Sequence, residues 1–163
     1  MEAMAERYRG QGVVSLFVYT REAHPGENYP EHRSLDDKLA MARELRKVVG
    51  VRRPILVDDL GGTIHRHFGI LPNMAWILSR TGKIVYKAEW TQPVSIERAL
   101  EEQLAMKRQQ RAGQMPVAFY VEKQEYRYRD PAFYDGLRRN GPRAVTEFDE
   151  AMKHRPARAV STE

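Results

Sequence analysis

Apolar residues recur at helical spacing at the start of the chain, at Met1, Met4, Ala5 and Tyr8, and Gly10 and Gly12 follow. That spacing predicts a short helix with one inward face and a glycine stop. The next stretch, VVSLFVY at 13–19, is β-branched and aromatic with almost no alternation. It predicts a strand buried on both faces. Ser34 with Asp37 three residues on gives a capping-box pattern, with Asp in place of the preferred Glu. Leu35, Leu39, Ala42, Leu45, Val48 and Val49 then mark the apolar stripe of a helix ending at Gly50. PILVDD (54–59) predicts a second short buried strand, and Gly61-Gly62 a turn. TIHRHFG predicts one helical turn capped by Thr63 and closed by Gly69. MAWILS (74–79) and KIVYKAEW (83–90) flank Arg80-Thr81-Gly82, which is a hairpin signal. A further helix is expected from about Ile96 to Arg111, with Pro93 ahead of it and Gly113 behind.

The order helix, strand, helix, strand, hairpin, helix predicts an α/β fold with a mixed sheet. A buried parallel strand is normally joined through a helix to an earlier neighbour by a right-handed crossover. This chain opens on the helix of such a unit, so the pattern predicts that a first central strand is missing upstream and that the chain is shortened at its N-terminus. Beyond residue 113 the pattern weakens. PVAFYVEKQEYRYRDPAFYDG mixes aromatics with charge, as an irregular strand or an adherent tail would. GPRAVTEFDEAMKHR predicts a helix with Pro142 at its first position, and PARAVSTE a frayed end. The expected division is a domain over 1–112, incomplete at its N-terminus, and a partly helical extension over 113–163.

Composition narrows the chemistry. The 163 residues include no cysteine, which excludes disulfides, thiolate metal sites and a cysteine nucleophile within them. No apolar run approaches the roughly 20 residues that span a bilayer, and MEAMAERYRG lacks a signal-peptide pattern. The expectation is a cytoplasmic protein with no membrane partner. A net charge of +5, set against 27 basic and 22 acidic groups, is too diluted to favour a nucleic-acid partner. Tyr126, Arg127, Tyr128 and Arg129 interleave aromatic and basic side chains, which suits either single-stranded nucleic acid or a tail packing its tyrosines on the domain.

The candidate chemistry lies in REAHPGENYPEHRS (21–34), directly after the first strand. Glu22, His24 and His32 put imidazoles beside carboxylates where open α/β sheets carry their sites. Taken alone, a solvated His24-Pro25-Gly26 turn is the favoured reading. His65 and His67 form an H-x-H pair that could chelate jointly only from a strand or loop, so no metal is expected. Asp58 and Asp59 end a strand before a glycine turn, with the first expected to cap the next segment and the second to face water. Pro72 opens a predicted core strand, and nothing local requires a cis bond there.

LFVYTREAHPGE, HRSLDDKLAMARELR and PILVDDLGGTIHRHFGILPNMAWILSRTGKIVYKAEW, in that order, resemble the iodothyronine deiodinase family, in particular its bacterial deiodinase-like members. The resemblance covers about residues 1–100. It implies a thioredoxin-like sheet flanked by helices, with Pro72 as a cis-proline facing a redox centre and Asn73 beside it. It also implies that Glu22 and His24 face the substrate and that His32 belongs to a proton-transfer network. Asn73 stands where deiodinases commonly carry an acidic residue, and no residue near Glu89-Trp90 matches their arginine clamp. The family's selenocysteine or cysteine nucleophile, and the strand before it, have no counterpart here. What is implied is an oxidoreductase-type site for a small molecule or thiol, without a bound cofactor. The alternative is a redox-inactive module that uses the same cleft for a small aromatic ligand or a protein partner. A missing central strand would also expose strand edges and favour homodimers or aggregation.

Overall fold

The computed structural model describes residues 1–126 and 131–153. Most of the basic-aromatic Tyr126–Arg129 run and the expected frayed end lie outside those residues. Six helices and four strands are described: α1 (Glu2–Arg9), β1 (Phe17–Tyr19), α2 (Leu35–Val49), β2 (Ile55–Val57), α3 (Thr63–Phe68), β3 (Ala75–Leu78), β4 (Ile84–Ala88), α4 (Pro93–Arg111), α5 (Pro131–Asn140) and α6 (Pro142–Lys153). The protein is mixed α/β. Its strands form two small sheets rather than one. β1 pairs with β2 in parallel, Phe17 opposite Ile55, and β3 pairs with β4 antiparallel, Ala75 opposite Ala88. Among the described residues no helix is long and apolar enough to cross a membrane.

α2 is built as its sequence predicts. Ser34 Oγ accepts the Asp37 N–H at 3.1 Å, and Gly50 takes the left-handed conformation (φ 72°) that ends the helix. Its two acidic residues in the first turn and two basic residues in the last suit the helix dipole. α2 returns the chain so that β2 can lie parallel to β1, the arrangement a crossover helix permits and a tight turn does not.

α1 and α4 meet over one face of the β3–β4 hairpin. Met4 and Tyr8 of α1 and Ile96 and Leu100 of α4 are buried together, with Ala75, Ile77 and Tyr86 packed against them. Ala75 and Ile77 share a face because strand side chains alternate. Trp76 points the other way, edge-on to Phe68 with ring centroids 5.5 Å apart. Tyr8 Oη donates to Glu101 at 2.8 Å, and Arg7 pairs with Glu97, which ties the two helices at their polar margin. Glu2 ties α1 to the turn before β2: it accepts from Arg53 Nε at 2.6 Å and from the Arg52 and Arg53 backbone N–H groups.

Four expectations are corrected. VVSLFVY is not a strand buried on both faces: only 17–19 are strand, pairing with β2 alone among the described strands, and Val14, Leu16 and Val18 face solvent. Thr63 does not cap α3; Gly62 is the N-cap (φ 70°), and aspartate side chains satisfy the helix start. The bond before Pro72 is trans, as is every peptide bond among the described residues. The stretch 131–136, expected within an irregular strand or adherent tail, instead opens helix α5 (Pro131–Asn140), which packs against α6.

Candidate functional site

β1 ends on Tyr19, which is buried, and the chain then enters the polar loop 20–34. Tyr19 anchors that loop at both ends. Its hydroxyl donates to Glu22 Oε1, three residues on, and lies 3.1 Å from His32 Nε2 at the far side of the loop. A phenol has one proton to give. With that proton on Glu22, the contact to His32 requires the imidazole to donate from Nε2, which leaves Nδ1 with its lone pair. The Tyr19 and His32 rings also meet edge to face, with centroids 5.4 Å apart. Burial and the adjacent Glu22 carboxylate together push the Tyr19 hydroxyl far above its ordinary range, so it remains a proton-bearing link. Burial lowers the His32 pKa; Glu22 opposes that shift and Lys38 adds to it. His32 is therefore neutral at physiological pH and able to take a proton.

Glu22 and His32 line an open cleft of about 470 Å³, with Arg21, Lys38, Arg143 and Glu147 among its other walls. Lys38 is buried, and its Nζ donates to the Asp59 backbone carbonyl at 2.8 Å. Burial lowers its pKa, against the attraction of Asp58 and Asp59. Glu147 Oε2 is buried and has no hydrogen-bond donor among the described residues. A carboxylate oxygen left unpaired beside a cleft favours an occupant that brings an N–H or O–H group. The walls therefore offer acceptors at Glu22 and Glu147, cations at Arg21 and Arg143, and the imidazole of His32.

The loop holds its shape because the C-terminal helices close on it. Asn140 is buried at the α5–α6 turn and works in both directions. Its Nδ2 donates to the His24 carbonyl at 2.8 Å, and its Oδ1 accepts the Tyr29 N–H at 2.7 Å. Asn28 returns two bonds to the turn, from its N–H to the Asn140 carbonyl and from Nδ2 to the Arg139 carbonyl. Glu27 accepts the Arg143 N–H, one of the donors that a helix start leaves open, and sits at the positive end of α6.

Glu22 and His32 are thus brought together, but His24 is not with them. Its ring packs edge-on against Phe148 of α6, centroids 5.2 Å apart, and burial lowers its pKa, against the nearby Glu147. Pro72 is exposed, and Asn73 offers its backbone carbonyl to Thr91 Oγ1; neither lines the cleft. His65 and His67 each satisfy a local carbonyl, of Leu71 and Thr63, instead of facing one another. Asp58 is fully buried and accepts the Ile64 and His65 N–H groups, as expected for a cap, while Asp59 accepts from Thr63 and stays exposed. Sequence reasoning missed Tyr19, Lys38, Arg143 and Glu147. Tyr19 could have been found from its position as the last residue of a strand entering the loop. Arg143 and Glu147 reach the cleft only through a long-range packing that no local pattern encodes. Compared with known proteins, the chain matches no family model and no curated protein sequence.

Proposed function

We propose that the loop 20–34 is the proton-handling wall of a deiodinase-like oxidoreductase site of thioredoxin-like ancestry. The carrying observation is that Glu22 and His32, joined through the buried Tyr19 hydroxyl, line a cleft large enough for a small aromatic molecule. Reductive loss of iodine from an aryl iodide consumes two thiols. The aryl carbon gains a proton, iodine leaves as iodide, a second proton is released and the two sulfurs form one disulfide. No thiol is present among the 163 residues, so in this reading the thiol or selenol comes from outside them. His32, neutral and with a lone pair on Nδ1, takes and returns a proton, while Tyr19 and Glu22 fix its orientation. The resemblance's role for His24 passes to Arg21, Arg143 and Glu147 as ligand contacts, because His24 is turned onto Phe148.

The absence of cysteine also favours a second reading, in which the same cleft is a redox-inactive binding module for a small aromatic ligand or a protein partner. One experiment separates the two. The protein is titrated calorimetrically with an iodinated phenol, and iodide release is then followed with a dithiol as reductant. Saturable binding with iodide release above the protein-free rate, lost in His32→Gln, supports the oxidoreductase. Binding without release leaves the binding module. No binding of the phenol refutes the oxidoreductase and the aromatic-ligand form of the module.

A further inference from the structure

Lys38 and Ala42 are the buried residues of α2, four positions apart and so on one face of the helix. Among the described lysines only Lys38 is buried, at 2% exposure. An ammonium group carries three donors. Lys38 Nζ has one acceptor, the Asp59 carbonyl at 2.8 Å, and no carboxylate within ion-pair reach among the described residues. As a cation it would leave two N–H groups with no acceptor from those residues, which is costly for a buried group. The neutral amine, with two donors and a lone pair, fits this place better. Burial lowers the Lys38 pKa in the same sense, against the attraction of Asp58 and Asp59.

Lys38 is also a wall of the cleft of about 470 Å³, and so is Leu60, the residue directly after its acceptor Asp59. One hydrogen bond therefore holds the amine nitrogen against the stretch of chain that forms the cleft wall, and leaves its lone pair unused. Arg21 and Arg143 stand on the same cleft. Among the described residues neither guanidinium makes an ion pair. A guanidinium fork matches a carboxylate bidentately. One cleft thus combines an amine relieved of its proton with two cations open to an acid group.

We propose that Lys38 is an imine-forming nucleophile for a small α-oxo acid whose carboxylate rests on Arg21 and Arg143. The amine lone pair bonds to the carbonyl carbon, and the π pair of the carbonyl moves to its oxygen. That oxygen then leaves as water with the two hydrogens of the amine, and the carbon–nitrogen double bond of the imine remains. No electron is gained or lost, so the step needs neither the missing thiol nor any reductant. Only the unprotonated amine attacks, which is why a desolvated lysine suits this chemistry and an exposed one does not. The inference uses the cleft but not its redox reading.

The full chain is incubated at neutral pH with pyruvate and cyanoborohydride, and the reduced adduct is located by peptide mass spectrometry. The carboxyethyl group is expected on Lys38, forming at least about tenfold faster than on the exposed lysines, which serve as the internal reference. Hydroxyacetone, a ketone without the acid, should show a smaller preference for Lys38. Arg21→Gln combined with Arg143→Gln, its fold checked by circular dichroism, should remove the difference between the two ketones. Lys38 left unlabelled, or labelled no faster than exposed lysines, overturns the proposal. Equal preference for the two ketones in the parent protein overturns the place given to the carboxylate. Iodide release is read separately, so trapping on Lys38 without iodide release keeps this inference and removes the oxidoreductase reading.

Discussion

Asn140→Ala removes the side chain that joins the α5–α6 turn to the candidate loop. Two short bonds are lost, Nδ2 to the His24 carbonyl at 2.8 Å and the Tyr29 N–H to Oδ1 at 2.7 Å, with a weak third from Nδ2 to the Tyr29 carbonyl at 3.4 Å. Each short bond has a net value of about 1 kcal/mol, and a partner left unsatisfied in a part-buried place adds to that, so the expected loss is about 2–4 kcal/mol. The α5–α6 pair does not come away altogether, because Asn28 and Glu27 still bond to the backbone of Arg139, Asn140 and Arg143. Asn140→Asp should be no better. It keeps the acceptor for Tyr29 N–H but sets a carboxylate oxygen against two carbonyls. The exposed Asp135–Arg138 pair on α5 is the control, where Asp135→Ala should change stability by about 0.5 kcal/mol or less. Urea unfolding followed by the fluorescence of Trp76 and Trp90 gives the global value, and hydrogen exchange at the Tyr29 amide gives the local one. If Asn140→Ala falls within about 0.5 kcal/mol of the parent by both measures, the loop is not held by the C-terminal helices and the reasoning is wrong.

Gly26→Ala should be at least as damaging, since a Cβ there would stand 2.6 Å from the Asn140 backbone carbonyl, which cannot swing aside; calorimetric melting checks it. Tyr19→Phe should cost about 1–2 kcal/mol and release His32, seen as loss of the slowly exchanging Nε2 proton by NMR. Glu22→Gln removes the charge that supports protonation of His32, so the imidazole should titrate at still lower pH in an NMR titration. Stability should fall on acidification in two stages. His24 and His32 have folded pKa values below the ordinary 6.5, so the unfolded chain binds protons first as pH drops through that value. Glu2 follows below 4.5: burial works against its charge, but hydrogen bonds from Arg53 and the Arg52 backbone win and hold its carboxyl low, so its contribution is lost as pH falls through the lowered value. A urea midpoint that is flat between pH 7 and pH 4 would contradict the histidine shifts, and one that stays flat below pH 4.5 would contradict that of Glu2.

What was legible in the sequence was whatever local chemistry encodes. Ser34, Asp37 and Gly50 state the ends of α2 outright, and Gly82 in a short polar turn between two apolar runs states the β3–β4 hairpin. α5 was not legible, because PAFYDG carries turn formers and aromatics that suit a tail equally well. Its helix is held by packing on α6 and by Asn140, whose side chain bonds to Tyr29 and His24, more than a hundred residues away in sequence. The burial and full extent expected of the strand at 13–19 failed for the converse reason. An unbroken apolar run shows that a stretch can be buried, and whether it is depends on neighbours that the stretch does not specify.

The same distinction sorts the site. Glu22 and His32 were recoverable from one loop because Tyr19, at the end of β1, is close enough in sequence to gather both. His24 has the same residue type and the same loop, yet its ring is claimed by Phe148 and its carbonyl by Asn140. Composition could not separate the two histidines, because what separates them is a helical hairpin arriving from the far end of the chain. That hairpin also supplies Arg143 and Glu147 to the cleft. The C-terminal helices are therefore part of the site's construction. Loosening them, as in Asn140→Ala, should disturb His24 and the ligand walls while leaving the Tyr19–His32 contact in place. If the His32 titration instead shifts as much as that of His24 in Asn140→Ala, the two histidines share one environment and the division drawn between them fails.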